Sequence, residues 1–145
     1  MAKRIVFHID VNSAFLSWTS VQRVKEGKSD LRLVPAVISG DPDKRTSVVL
    51  AKSVPAKKYD IKTGEPLSMA LRKCPNLLTA PPDFKLYSKF SRQFMDICRE
   101  YTPCLEKFSI DECFLDMSGM EQVYPDIIAT AYEIKNRIKK ELGFT

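Results

Sequence analysis

A chain of 145 residues, 44% apolar and 28% charged, has the length of one ordinary domain and a globular, water-compatible balance. No run approaches the roughly 20 apolar residues of a membrane-spanning helix. The start, MAKRIVFHIDVN, has a basic pair but no apolar stretch fit for a signal peptide, so a cytoplasmic protein is expected. The net charge of +5, from 23 basic against 18 acidic residues, is too modest by itself to imply a nucleic-acid partner.

In chain order, residues 4–10 (RIVFHID) are predicted as a buried strand, being short, β-branched and aromatic. A helix follows, capped by Asn12 or Ser13, with Phe15, Trp18, Val21 or Gln22, and Val24 on one face, and stopped at Gly27. Residues 34–40 predict a second strand that Pro35 keeps near an edge or at its start. TSVVLAKS predicts a third, paired with it as a hairpin across SGDPDKR. Ser53 caps a short helix before Gly64, and PLSMALRKC makes another before Pro75. LLTAPP is extended. Asp83 caps a strong helix whose Leu86, Phe90, Phe94, Ile97 or Cys98, and Tyr101 share a face, and Pro103 ends it. The last helix points Ile127, Ala131, Ile134, Ile138 and Leu142 inward, and Lys135, Arg137, Lys139 and Lys140 outward. Its end at Gly143-Phe144-Thr145 reads as the approach to a further strand, and so as a piece of a longer protein.

The cysteines, Cys74, Cys98, Cys104 and Cys113, fit no zinc spacing and read as buried free thiols. Charge is unevenly spread. Residues 41–80 hold eight basic and four acidic side chains, which reads as a solvated face or as a surface for phosphates.

KFSIDECFLDMSG, Lys107 to Gly119, sets Asp111 and Glu112 side by side in a strand-like run. Along one continuous strand the two would point to opposite faces, and one carboxylate would enter the core. Asp10 ends the first strand. Carboxylates in an apolar frame are explained by hydrogen-bonded structural sites or by a hard divalent cation, which takes oxygen ligands. Two Mg²⁺ ions held by three carboxylates and a polyphosphate would suffice for phosphoryl transfer. The residues alone leave this open. Asp10 is an ordinary helix-cap candidate, an Asp-Glu pair is commonplace, and His8 reads as a satisfied core residue.

HIDVNSAF, followed about a hundred residues later by SIDECFLD, resembles the Y-family of translesion DNA polymerases, in its bacterial polymerase-IV-like branch. PAVISG, AKKYDIKTGEPL and the Tyr87-x-x-x-Ser91 helix match as well, over essentially the whole chain. The resemblance implies an α+β fold: an incomplete polymerase palm, an antiparallel or mixed sheet with helices on one face, from residues 1–13 and 83–145, plus a small fingers subdomain from 14–82. It implies that Asp10, Asp111, Glu112 and the backbone carbonyl of Val11 hold two Mg²⁺ ions. A primer 3′-hydroxyl would then attack the α-phosphate of a dNTP. Phe15 would be a steric gate against ribose, with simple packing as the alternative role. Ser13, Ala14, Phe15, Ser53 and Lys57 would touch the nucleotide, and Val48 and Leu50 would roof the nascent base pair. Primer-template DNA is the implied partner. The remaining palm strands, thumb, little finger and sliding-clamp tail would lie beyond Thr145, so this piece alone is expected to bind DNA poorly and to show little incorporation.

One departure stands out. Val54 and Lys57 stand where the family offers a Tyr and an Arg to the triphosphate, and Lys57 keeps charge but loses the planar fork. Lys52 and Lys58 are the candidate helpers. Three other readings compete: a haloacid-dehalogenase-type phosphatase, which lacks its second Asp at Asn12; a nucleotide- or DNA-binding module without catalysis; and a nucleotidyl cyclase. The resemblance also implies a tight turn near Ile110-Asp111, which frees both acids from strand alternation, although Ile is a poor turn residue and backbone strain is expected there. Asp116 reads as structural. An exposed sheet edge is expected to permit pairing with a second copy.

Overall fold

In a computed structural model, residues 3–145 are described, and they fall into two compact units: the chain up to Asn12 with Tyr87–Thr145, and Ser13–Leu86.

The first unit is built on a three-stranded antiparallel sheet. Strand β1 (Val6–Asp10) lies at one edge. Later in the chain come helix α4 (Phe84–Arg99), strands β5 (Leu105–Ser109) and β6 (Glu112–Asp116), and helix α5 (Ile127–Leu142). The sheet order is β1-β6-β5. Alternation along β6 sorts its residues. Cys113 and Leu115 are fully buried, while Glu112, Phe114 and Asp116 are half-buried on the opposite face. Helix α4 packs against the buried face, where the Cys98 thiol meets that of Cys113. Its stripe of Tyr87, Phe90, Phe94 and Cys98 has the 3–4 residue spacing of one helix side.

Helix α5 is capped by Asp126, whose carboxylate accepts from Ala129 N–H at 3.0 Å. It closes at Gly143, which is left-handed at φ 89°. That turn carries Phe144 back into the core, where it meets Phe90 and Phe94 edge-on at 5.6 and 6.5 Å. Arg137 does not face outward alone. Its guanidinium lies 5.6 Å from the centre of the Tyr101 ring and donates to Glu100 and Glu141. The amphipathic pattern missed this because Arg can cover an aromatic ring with a planar, weakly hydrated head.

The second unit holds helix α1 (Ala14–Lys25), a 3₁₀ turn at Leu31–Leu33, strands β2 (Ala36–Ser39), β3 (Val49–Lys52) and β4 (Leu78–Ala80), and helices α2 (Val54–Lys57) and α3 (Leu67–Lys73). Its sheet is mixed, in the order β3-β2-β4, with β2–β3 antiparallel and β2–β4 parallel. Strand β2 is therefore central rather than at an edge. Pro35 stands before it, where its carbonyl still accepts from Leu78. Asp30 caps the unforeseen 3₁₀ turn through Arg32 N–H at 2.9 Å. On α1 the buried residues are Ala14, Leu16, Ser17, Trp18, Ser20 and Val21, whereas Val24 is exposed. Ser13 makes no side-chain cap and sits left-handed at φ 44°. Cys74, Cys98 and Cys113 are buried free thiols as expected, but Cys104 is exposed.

Candidate active site

The β1–β6 register sets Asp10 directly opposite Glu112, and His8 opposite Phe114. Opposed residues of an antiparallel pair share a face, with Cβ atoms roughly 4.5–5.5 Å apart. This face is the one without helices, so the two carboxylates need no place in the core.

The β5–β6 connection is a turn at Ile110-Asp111. It resolves the alternation problem, because the acids lie on either side of the end of a strand. The Asp111 carbonyl accepts from Val11 N–H at 3.0 Å, locking the turn to the end of β1. The Ile110 carbonyl accepts from the Ser91 hydroxyl on α4. An isoleucine is tolerated in the turn because the tertiary structure supplies that partner. Neither turn residue has a positive φ; among the described non-glycine residues, left-handed backbone occurs at Ser13 and Asp60 instead.

Ser109, the last residue of β5, lies between the two acids and shares its single hydroxyl proton between them. Its hydroxyl lies 2.9 Å from Asp111 Oδ1 and 3.0 Å from Glu112 Oε2. His8 Nε2 lies 3.0 Å from Glu112 Oε1. The imidazole is therefore no buried core residue. Its side chain is 48% exposed and stacks on Phe114, with ring centres 4.6 Å apart and planes 18° from parallel. Burial raises the Asp10 carboxyl above its usual range, the charges of Glu112 and Asp111 raise it further, and His8 opposes them. Asp116 behaves differently. Ser118 hydrogen bonds, from hydroxyl and backbone, lower its carboxyl, and its Oδ1 accepts from Ser118 N–H at 3.0 Å. It is a turn-forming acid. Among the described residues, no group of three or more His, Cys, Asp and Glu side chains is already gathered as a metal cage.

The remaining predicted site residues sort as follows. Val11 is buried beside the turn, and Ala14 is buried at the start of α1. Phe15 packs on the Leu16–Ile38 core of the second unit and meets Phe84 edge-on at 5.8 Å. Val48 and Leu50 are exposed and alternate with buried Val49 and Ala51. The Ser53 hydroxyl is occupied: it donates to Val34 O at 2.7 Å and accepts from Ala36 and Ala56 N–H. Lys57, Lys58 and Val54 are exposed. Lys52 is no free helper, since its ammonium donates to Ile61 O at 2.9 Å. Sequence reasoning missed Ser109 and gave Ser91, named only as part of the matching helix, no role. The Ser-x-Asp spacing before a turn was the available signal for Ser109; nothing local marks Ser91 as the partner of Ile110.

The mixed α+β fold is shared with solved Y-family DNA polymerases. DinB from Sulfolobus solfataricus superposes with a TM-score of 0.81 at 24% identity, over 97% of this chain and 40% of that one. A Y-family DNA polymerase chimera gives 0.82 at 24% identity over the same shares. Residues 9–145 match the profile of the impB/mucB/samB family, and the chain belongs to that family. DNA polymerase IV of Clostridium acetobutylicum is 54% identical over 98% of this chain, which spans 36% of that relative's length.

Proposed function

We propose that this chain supplies the metal-binding palm part and the fingers of a translesion DNA-directed DNA polymerase, with the first unit as palm and the second as fingers. The observation that carries this reading is the Asp10–Glu112 opposition, with Asp111 anchored to Val11 between them. The donor set fits magnesium. All the candidate ligands are hard oxygens, and the Asp10 carboxyl, raised by desolvation and then by the charges of Glu112 and Asp111, is one whose ionised form a divalent cation would favour. Asp10, Asp111, Glu112 and the Val11 carbonyl would hold two Mg²⁺ ions, with water and the triphosphate completing them. Bound there, the ions supply a more nucleophilic primer 3′-hydroxyl and a charge-stabilised α-phosphate.

In this reading Phe15 excludes a ribose 2′-hydroxyl, Ser13 and Ala14 present backbone to the sugar and phosphates, and Val48 and Leu50 cover the base pair. Lys57 gives the triphosphate a point charge. Ser53 acts through the start of α2, since its hydroxyl is already engaged. Primer-template DNA and dNTP are the partners, and any sliding-clamp contact belongs to the length that the relatives have and this chain lacks. The chain spans 36% of a relative's length, and DNA affinity grows with the number of phosphate contacts, so in this reading these 145 residues alone are expected to bind DNA weakly and to incorporate little.

The outer edge of β1 and α5 line a cleft of about 420 Å³ with apolar walls that include Phe7, Ile9, Ile134 and Ile138. An open strand edge of this kind supports pairing with a second copy. Sedimentation at high concentration tests it, and a persistent monomer refutes it.

The central experiment gives a primed template, Mg²⁺ and dNTPs or rNTPs to a polymerase extending this chain to its relatives' full length. Extension with dNTPs only, lost in Asp111→Ala and Glu112→Ala with folding retained, is expected. Template binding without extension would favour a non-catalytic module.

A further inference from the structure

Glu112 is held on both sides. Its Oε1 lies 3.0 Å from His8 on β1, and its Oε2 lies 3.0 Å from Ser109 on β5. A glutamate has three rotatable side-chain bonds. The His8 hydrogen bond on one side, with a Ser109 proton shared with Asp111 on the other, restricts them, and His8 is the only one of the two whose donor is not divided between acids. His8 is itself held, since its ring lies flat on Phe114. Phe114 is in turn met edge-on by Phe108 at 5.7 Å, so three rings step across the three strands of the sheet.

A half-exposed histidine does not fill a core, and its side chain is twice as exposed as that of its partner, 48% against 24%. The pairing with Glu112 therefore needs its own explanation. A carboxylate can only accept, so His8 Nε2 carries the hydrogen in this contact.

We propose that His8 is a positioning residue for Glu112: seated on Phe114, it fixes the carboxylate so that its remaining lone pairs are presented to a divalent ion on the open face of the sheet. This rests on the metal reading above. Partners that orient a ligand in this way typically change metal affinity by about 10–100-fold.

Two substitutions separate donor from ring. His8→Phe keeps a flat ring for Phe114 and removes the donor. His8→Gln keeps an N–H at a similar reach and removes the ring. The probe is Mn²⁺, titrated into the 145-residue chain and followed by the electron paramagnetic resonance of free ion, with Asp10→Asn as reference and thermal melts confirming folding. His8→Phe is expected to weaken Mn²⁺ binding by about tenfold, the low end of that range. His8→Gln should recover most of the loss, and Asp10→Asn should abolish specific binding. In the full-length polymerase, the Mg²⁺ concentration for half-maximal extension should rise by a similar factor in His8→Phe, with KM for dNTP unchanged. Unaltered Mn²⁺ affinity in His8→Phe, with binding lost in Asp10→Asn, overturns the role of His8 and leaves the metal reading standing. Unaltered affinity in both variants, or no binding by the parent chain, overturns both.

Discussion

Asp10 and Glu112 face each other across the β1–β6 ladder, and the Asp10 carboxyl is raised, first by desolvation and then by the charges of Glu112 and Asp111. The folded protein thus holds the Asp10 proton more tightly than the unfolded chain does. Ionising Asp10 costs stability, and the cost grows as pH rises through the ordinary value of 3.8 to the raised one. Asp10→Asn should therefore melt at a higher temperature than the parent at pH 7, and the difference should close below pH 3.8. A lower melting point at pH 7 would show that neither desolvation nor the neighbouring carboxylates disfavour the ionised Asp10. Added Mg²⁺ should raise the melting point of the parent and leave Asp10→Asn unmoved.

Glu65 in the second unit has the opposite sign. Burial alone would raise its carboxyl, but hydrogen bonds from Lys62 N–H and from the Lys73 ammonium, at 3.0 Å, lower it overall. Its stabilising effect is present above 4.5 and is lost as pH falls through the lowered folded value. Glu65→Gln should cost about 1–3 kcal/mol at pH 7, because it removes the charge facing the Lys73 ammonium and replaces one of the two acceptor oxygens with a donor. Denaturant melts from pH 7 to pH 3 should show a shallower acid loss in the variant; parallel curves would remove Glu65 as the source.

Phe144 is 1% exposed between Phe90 and Phe94. Phe144→Ala should cost about 3–5 kcal/mol through lost burial and the cavity left behind. A chemical denaturation midpoint within error of the parent would mean that the core of the first unit does not depend on this ring.

Phe15 touches Phe84 and the Leu16 core but is only partly buried. Phe15→Ala should cost about 1–2 kcal/mol of stability, less than a full core truncation. In the full-length polymerase it should also raise ribonucleotide incorporation by at least about tenfold, the ~1.4 kcal/mol equivalent of one lost steric contact. Stability loss with unchanged dNTP-over-rNTP preference would leave Phe15 a packing residue.

Element positions were largely legible because they rest on local signals. Ser53 and Asp83 cap where they should, through Ala56 and Leu86 N–H, and the apolar spacing from Phe90 to Tyr101 marks the buried side of α4. Local spacing failed at Val24, Arg137 and Cys104, where exposure depends on what another element brings opposite. It failed also for His8, whose apolar strand context implied burial while the pairing with β6 placed it on the open face.

The candidate site divides in the same way. Asp10, Asp111 and Glu112 are recognisable in the sequence as acids in apolar runs, a pattern whose desolvation cost demands a reason. That they share a face was decided by tertiary structure: the register sets Asp10 on Glu112, and Val11 and Ser91 hold the Ile110-Asp111 turn through backbone carbonyls. Composition and periodicity can state which side chains exist and which way a single strand alternates. Only a ladder between segments a hundred residues apart determines which of them meet, because its hydrogen bonds are set by register and not by neighbours in the chain.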